Sequence, residues 1–397
     1  MAISLIVAGY GFLELWGVIS IPGSTAGETG IGIFSRLGNQ IYLAAYLLFH
    51  FFILGFLFFT TRHIWWRVAY AFLGVFEFYI FLHTGTRGAL IGFVAGVAAT
   101  VLALFLFSLR DNKKLAAYIG GVIVFGAVML IGFYVLRDSA FVARYPLLSR
   151  FADINIQSST VRSRLMIWGI AKEAFKERPL LGWGPENFII PYAKYYNPNL
   201  YGNEPWFDRV HNMHLEWLVA AGIAGFLAYL FVIGSSLYGL WWLWWKRLAH
   251  PIVVAALAGF LVAYLAQNTF VFDNIITYLF FVLLIALVQS LSWEDKEDKS
   301  FLRNHRGNAM AAASFCIIAG IALAATMHTK QMRVAGGIID LLNSISAGGT
   351  ALSFIQKVDA LVAKDTFGTS EVRERFVDVL LGAANQHEGV PKSDLLI

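Results

Sequence analysis

ALIGFVAGVAATVLALFLFSL, residues 89–109, runs for 21 positions without a charged side chain. Wound as an α-helix it spans about 31 Å, the thickness of a bilayer's hydrocarbon core. Gly88, Gly92 and Gly96 recur every fourth residue, baring one face for close approach of a neighbouring helix. Comparable apolar runs lie outward from it at 3–19, 41–60, 64–82, 115–136, 213–241, 252–270, 275–291 and 311–327. The pattern predicts an all-α, polytopic membrane helix bundle of about nine spans.

The whole composition agrees. Of 397 residues, 58% are hydrophobic and only 14% charged, a balance foreign to soluble domains of this length. The single Cys316 excludes a disulfide framework and a thiolate metal site. The first run has no basic n-region or small-residue cleavage site, so it reads as a retained helix. Basic residues cluster at alternate span ends: Arg62 and Arg67, Arg110 with Lys113 and Lys114, Lys246 and Arg247, then Lys296 to Arg306. Under the positive-inside rule these ends are cytoplasmic. Residues 137–210 then form a large outer loop, and 328–397 a small soluble helical tail on the same side as that loop. The expected division is a transmembrane domain, 1–327, and the tail. The net charge of +5 comes from these flanks and the loop, so no nucleic-acid partner is expected.

The outer loop is too long to be a plain connection. Ser158, Ser159 and Thr160 are N-cap candidates for a helix carrying Arg162, Arg164 and Trp168, which should stop before Pro179. Next comes Pro179-Leu180-Leu181-Gly182-Trp183-Gly184, whose glycines and prolines predict tight turns around an exposed Trp. Such a helix and turn could form a lid, or the aromatic residues could be a simple interfacial belt.

Several polar residues fall on the same outer level. Arg87, in the short turn 83–88, either snorkels to headgroups or binds an anion, phosphate being best matched by its planar fork. Arg162 and Arg164 could add donors. Glu77 is an intramembrane carboxylate and a weaker candidate. His211 and Asn212 open the span at 213, and His214, three residues after His211, would share its face of a helix. A metal site is disfavoured because no third ligand stands at a standard spacing. His211 is therefore either an interfacial side chain or an acid–base group working beside an anion. No Asp-x-Asp pair occurs in the outer segments, so arginines would have to neutralise a diphosphate without metal or other cofactor.

These residues resemble the O-antigen ligase and polymerase superfamily of bacterial inner-membrane glycosyltransferases. His211-Asn212 followed by Gly222 and Gly225 fits its ligase pattern, Arg36-Leu37-Gly38-Asn39-Gln40 its Gly-Asn element, and Thr86-Arg87-Gly88 its Ser-Arg-Gly turn. Arg164 with Trp168 and the 179–184 segment look like the start of its periplasmic loop. The resemblance implies a GT-C-like bundle in the inner membrane and a polyprenyl-diphosphate-linked glycan donor. It also implies inverting transfer at the periplasmic face to a glycolipid, glycan or protein acceptor. On that reading His211 is catalytic, Arg87 and Arg164 bind the diphosphate with Arg162 as a neighbour, and His214, Asn212 and Glu77 are secondary. Members usually carry several spans before the Gly-Asn element, where one stands here, so a truncated or minimal version is expected. Ligase is the first expectation; a polymerase of the same superfamily, or a glycolipid transporter or scaffold without catalysis, are the alternatives.

Overall fold

The computed structural model describes residues 1–21, 24, 26–152, 159–201, 207–292 and 351–363, with scattered positions between 314 and 377. The chain divides into two compact units, Met1–Glu294 and Asp295–Ile397. In the second, α14 (Ala351–Val362) buries Val358 and Leu361 with Val334 and Val372. The expected span 311–327 falls largely outside the described residues.

The first unit is helical among its described residues: α1 (Ala2–Leu15), α2 (Ala26–Thr29), α3 (Gln40–Thr60), α4 (Ile64–His83), α5 (Arg87–Asp111) and α6 (Lys113–Leu136). Then come the short α7 (Ala140–Arg144) and α8 (Pro146–Ala152), α9 (Ser159–Glu177), α10 (Ile189–Lys194), α11 (Met213–Trp245), α12 (Pro251–Asn268) and α13 (Ile275–Ser292). Seven of these are long and apolar enough to cross a membrane: α3, α4, α5, α6, α11, α12 and α13.

The first expected span, 3–19, is corrected. Its helix stops at Leu15 after 14 residues, about 21 Å, short of a bilayer core. Hydropathy continues past Leu15, but the Val18 N–H turns back to the Leu13 carbonyl and closes the helix. Glu14 is drawn inward, accepting the Phe34 and Ser35 N–H groups and the Ser24 hydroxyl.

α3 and α12 form the centre, where Phe49 stacks on Phe260 with ring centroids 5.3 Å apart. The glycine stripe of α5 is the reason α12 lies so close. A Cβ on Gly96 would stand 2.7 Å from the Gly259 carbonyl oxygen and 2.7 Å from the Ala263 Cβ, so only a bare backbone fits there. α6 packs on α5 and leaves most of its apolar side chains exposed, as a lipid-facing helix does.

Glu77 lies in this interior and not at the Arg87 level. Its carboxylate is 2.8 Å from His50 Nδ1 and accepts the Ser4 hydroxyl, joining α4, α3 and α1. An intramembrane carboxylate needs such partners, and here they pin α1 to the bundle.

α11 is broken at Gly222, whose φ of 61° and ψ of −163° suit only glycine. In an unbroken helix the Val219 and Ala220 carbonyls would accept from Ile223 and Ala224. Instead they accept from Trp183 and Gly184 of the 179–184 segment, at 2.9 and 2.8 Å. The Ile223 and Ala224 N–H groups donate to the Pro179 and Leu180 carbonyls, at 2.8 and 3.4 Å. These four main-chain groups at the break thus all find partners, the condition for breaking a helix at membrane depth. Trp183, expected to be exposed, is half-buried: its indole N–H reaches the Ala174 carbonyl of α9 at 2.8 Å. α9, the 179–184 segment and the first half of α11 thus share one core, built on Ile167, Ile170, Phe188, Tyr192, Val210 and Val219.

Candidate functional site

Three long helices begin at one cavity of about 420 Å³. Gln40 and Ile41 open α3, Arg87 and Gly88 open α5, and Thr160, Ser163 and Arg164 lie in the first turns of α9. Arg150 of α8, Phe207, His211 and the 270–271 turn complete the lining. Each helix start presents N–H groups and the positive end of a macrodipole, so the cavity favours an anion before any side-chain charge is counted.

Arg87, Arg164 and His211, expected together from sequence, all line it. Arg162 does not. It is exposed on α9, about 200° around the helix from Arg164, whereas Thr160 and Ser163 share the Arg164 side. Arg150 is the residue that sequence reasoning missed. The Arg87 Nε–H donates to the Arg150 carbonyl at 3.1 Å, and the Arg150 Nε–H donates to the Gly85 carbonyl at 3.3 Å. This reciprocal tie orients both guanidinium planes on one wall.

His211 does not share a helical face with His214. It precedes the N-cap in a left-handed conformation, φ 55°, between two fixed points. The Val210 N–H is held by the Glu216 carboxylate at 2.8 Å. The Asn212 Oδ1 caps α11, accepting from the His214 and Leu215 N–H groups at 3.0 and 3.2 Å. Asn212 is thus the cap, and His214 turns to α12, near the Tyr229 hydroxyl, the Leu265 carbonyl and Thr269.

The His211 ring stands between the Phe207 and Phe272 rings, perpendicular to both, with centroids 4.9 and 5.2 Å away. Its Nδ1 is 3.2 Å from the Arg209 carbonyl. A carbonyl can only accept, so Nδ1 carries the proton and Nε2 keeps its lone pair. Burial holds the imidazole below its ordinary pKa; the carbonyl bond opposes this, and the Arg164 charge adds to it. A neutral, oriented imidazole with a basic Nε2 results.

Phe272 is positioned from below. Asp273, buried between α12 and α13, accepts from the Tyr264 hydroxyl, the Asn268 amide and the Thr277 hydroxyl at 2.8, 2.8 and 2.7 Å. These donors fix the 270–273 turn that meets His211.

Residues 71–230 match the O-antigen ligase family model. Over this stretch, less than half of the chain, it is similar to O-antigen ligases. The matched range runs from mid-α4 to mid-α11, so it holds Arg87, Arg150, Arg164, His211 and the break at Gly222. A 158-residue stretch is also 25% identical to an uncharacterized protein of Haemophilus influenzae, covering 39% of this chain and 39% of that protein's length.

Proposed function

We propose that the chain is an inner-membrane glycosyltransferase that moves a glycan from a polyprenyl-diphosphate donor to an acceptor hydroxyl at the periplasmic face. The observation that carries this reading is one cavity joining three helix N-termini, Arg87, Arg150 and Arg164 to a neutral His211. The arginines and helix ends hold the diphosphate. The His211 Nε2 takes the acceptor's proton as its oxygen attacks the anomeric carbon. The bond from that carbon to the diphosphate breaks on the opposite side, with inversion, and polyprenyl diphosphate leaves with the electron pair. Arginine forks and helix dipoles stabilise the departing charge without a metal. The basic ends of α5, α6 and α11, far from the cavity, support a periplasmic orientation for it. Ligase, polymerase and protein-modifying members differ in the acceptor, and similarity to O-antigen ligases favours a glycolipid acceptor over a second glycan or a protein.

The arginines give the test. In a reconstituted assay with lipid-diphosphate donor, Arg87→Lys should weaken donor binding about tenfold or more, since a point charge cannot replace the fork. Arg150→Ala should act in the same direction, by removing a guanidinium and loosening Arg87. Arg162→Ala should stay within about twofold of the parent, as befits an exposed charge. A chain in which Arg162 matters and Arg87 and Arg150 do not would refute this cradle.

A further inference from the structure

Arg87 and Asp111 are separated by the length of α5, about 37 Å. At the Asp111 end lies a second cavity, of about 330 Å³, where α5 ends, α11 ends and α12 begins. Its lining includes Arg110, Asp111, Trp244, Arg247 and His250. The 110–114 and 246–250 segments carry five basic residues and one acidic residue. Arg247 pairs with that acid, Asp111, at 2.9 Å. Arg110 has a different environment: its guanidinium faces the Trp244 and Trp245 rings at 6.0 and 5.8 Å, and among the described residues it has no carboxylate partner.

Two local features shape this site. Arg247 holds a left-handed backbone, φ 54°, at the end of α11, where glycine is the ordinary choice. A non-glycine residue held there carries backbone strain of about 1–3 kcal/mol. His250 caps α12 by accepting the Ile252 N–H on Nδ1 at 3.3 Å, which leaves its proton on Nε2 as a donor.

The surroundings are those of a lipid. Trp244 and Leu248 make part of the lining apolar. Tyr238, Trp241 and Trp245 continue from it as an exposed strip along α11, Trp241 stacked on Trp245 at 5.8 Å. Such rings prefer the depth of the headgroup boundary.

We propose that this cavity binds the headgroup phosphate of an anionic phospholipid, with Arg110 and Arg247 as its cationic contacts and the Tyr238–Trp245 strip beside its acyl chains. The Asp111 carboxylate competes with the phosphate for Arg247, so it sets the affinity.

The full chain in neutral detergent should gain thermal stability when titrated with phosphatidylglycerol, and none with phosphatidylcholine or inorganic phosphate. The double variant R110A/R247A should lose the gain, while K113A/K114A, outside the lining, should keep most of it. Asp111→Asn should raise the apparent lipid affinity several-fold. If R110A/R247A fails to fold, the sign of the Asp111→Asn effect decides. Three results would overturn the proposal: equal protection by inorganic phosphate, loss of the gain in K113A/K114A, or weaker lipid binding in Asp111→Asn.

Discussion

Replacing His211 by Gln is expected to slow glycan transfer by roughly 10²- to 10⁴-fold, the usual worth of a positioned general base, with donor affinity nearly unchanged. Gln keeps the size and can still donate to the Arg209 carbonyl, but it has no basic nitrogen. The cavity is lined by the arginines as well as His211, and Gln leaves their guanidinium groups in place, so donor binding and catalysis should separate. The pH dependence provides a second readout. The His211 pKa is depressed in the fold, so the neutral imidazole is the favoured form and stability from this group is complete above the ordinary histidine value of about 6.5. As pH falls below that value, the contribution is lost, and transfer should fail on an acid limb placed below 6.5. Because the Arg164 charge contributes to the depression, Arg164→Gln should move that limb to higher pH whatever it does to the absolute rate. An acid limb at 6.5 or above in the parent, unmoved in Arg164→Gln, would remove His211 from the base role.

How far the sequence could reach depends on the range of each interaction. The spans and the loop helix at Ser159–Glu177 were legible because hydropathy and capping are local. The glycine stripe of α5 also predicted close packing correctly, since four-residue spacing admits one geometry. The first span failed at Leu15, where Glu14 is captured by N–H groups about twenty residues away. Arg162 was separable from Arg164 in principle: Thr160, Ser163, Arg164 and Ile167 mark one side of α9, and Arg162 is off it. Arg150 carries no such signal. It reaches the cavity because α7 and α8 fold back to the turn at Gly85, and nothing near it in sequence encodes that return. His211 was recognisable by residue type and spacing, but its left-handed backbone depends on the Asn212 cap and on Glu216 in the first turn of the helix that follows.

Gly222→Ala should have a large structural consequence for a single added methyl group. The added Cβ would stand 2.4 Å from the Leu180 carbonyl carbon and oxygen and 2.6 Å from the Leu181 nitrogen. These are main-chain atoms that cannot rotate away. The residue would also have to hold a backbone conformation open only to glycine. Relief requires expelling the 179–184 segment, which gives up four main-chain hydrogen bonds and returns the Val219 and Ala220 carbonyls to an apolar setting. Strain of about 1–3 kcal/mol and the four lost hydrogen bonds at about 0.5–1.5 kcal/mol each predict destabilisation on the order of 3–9 kcal/mol. Trp183 would leave the Ala174 carbonyl, and α9 would lose its anchor to α11, so Arg164 and His211 would no longer be held on one core. Transfer should therefore be abolished, and the 179–184 segment should become a site of rapid limited proteolysis. Gly234→Ala is the matched control: it lies on the same helix with nothing within 4 Å of the new Cβ, and alanine is the better helix former. It should transfer glycan and resist protease as the parent does. Equal behaviour of the two variants would mean that the exchange of hydrogen bonds at the break is not what holds the site together.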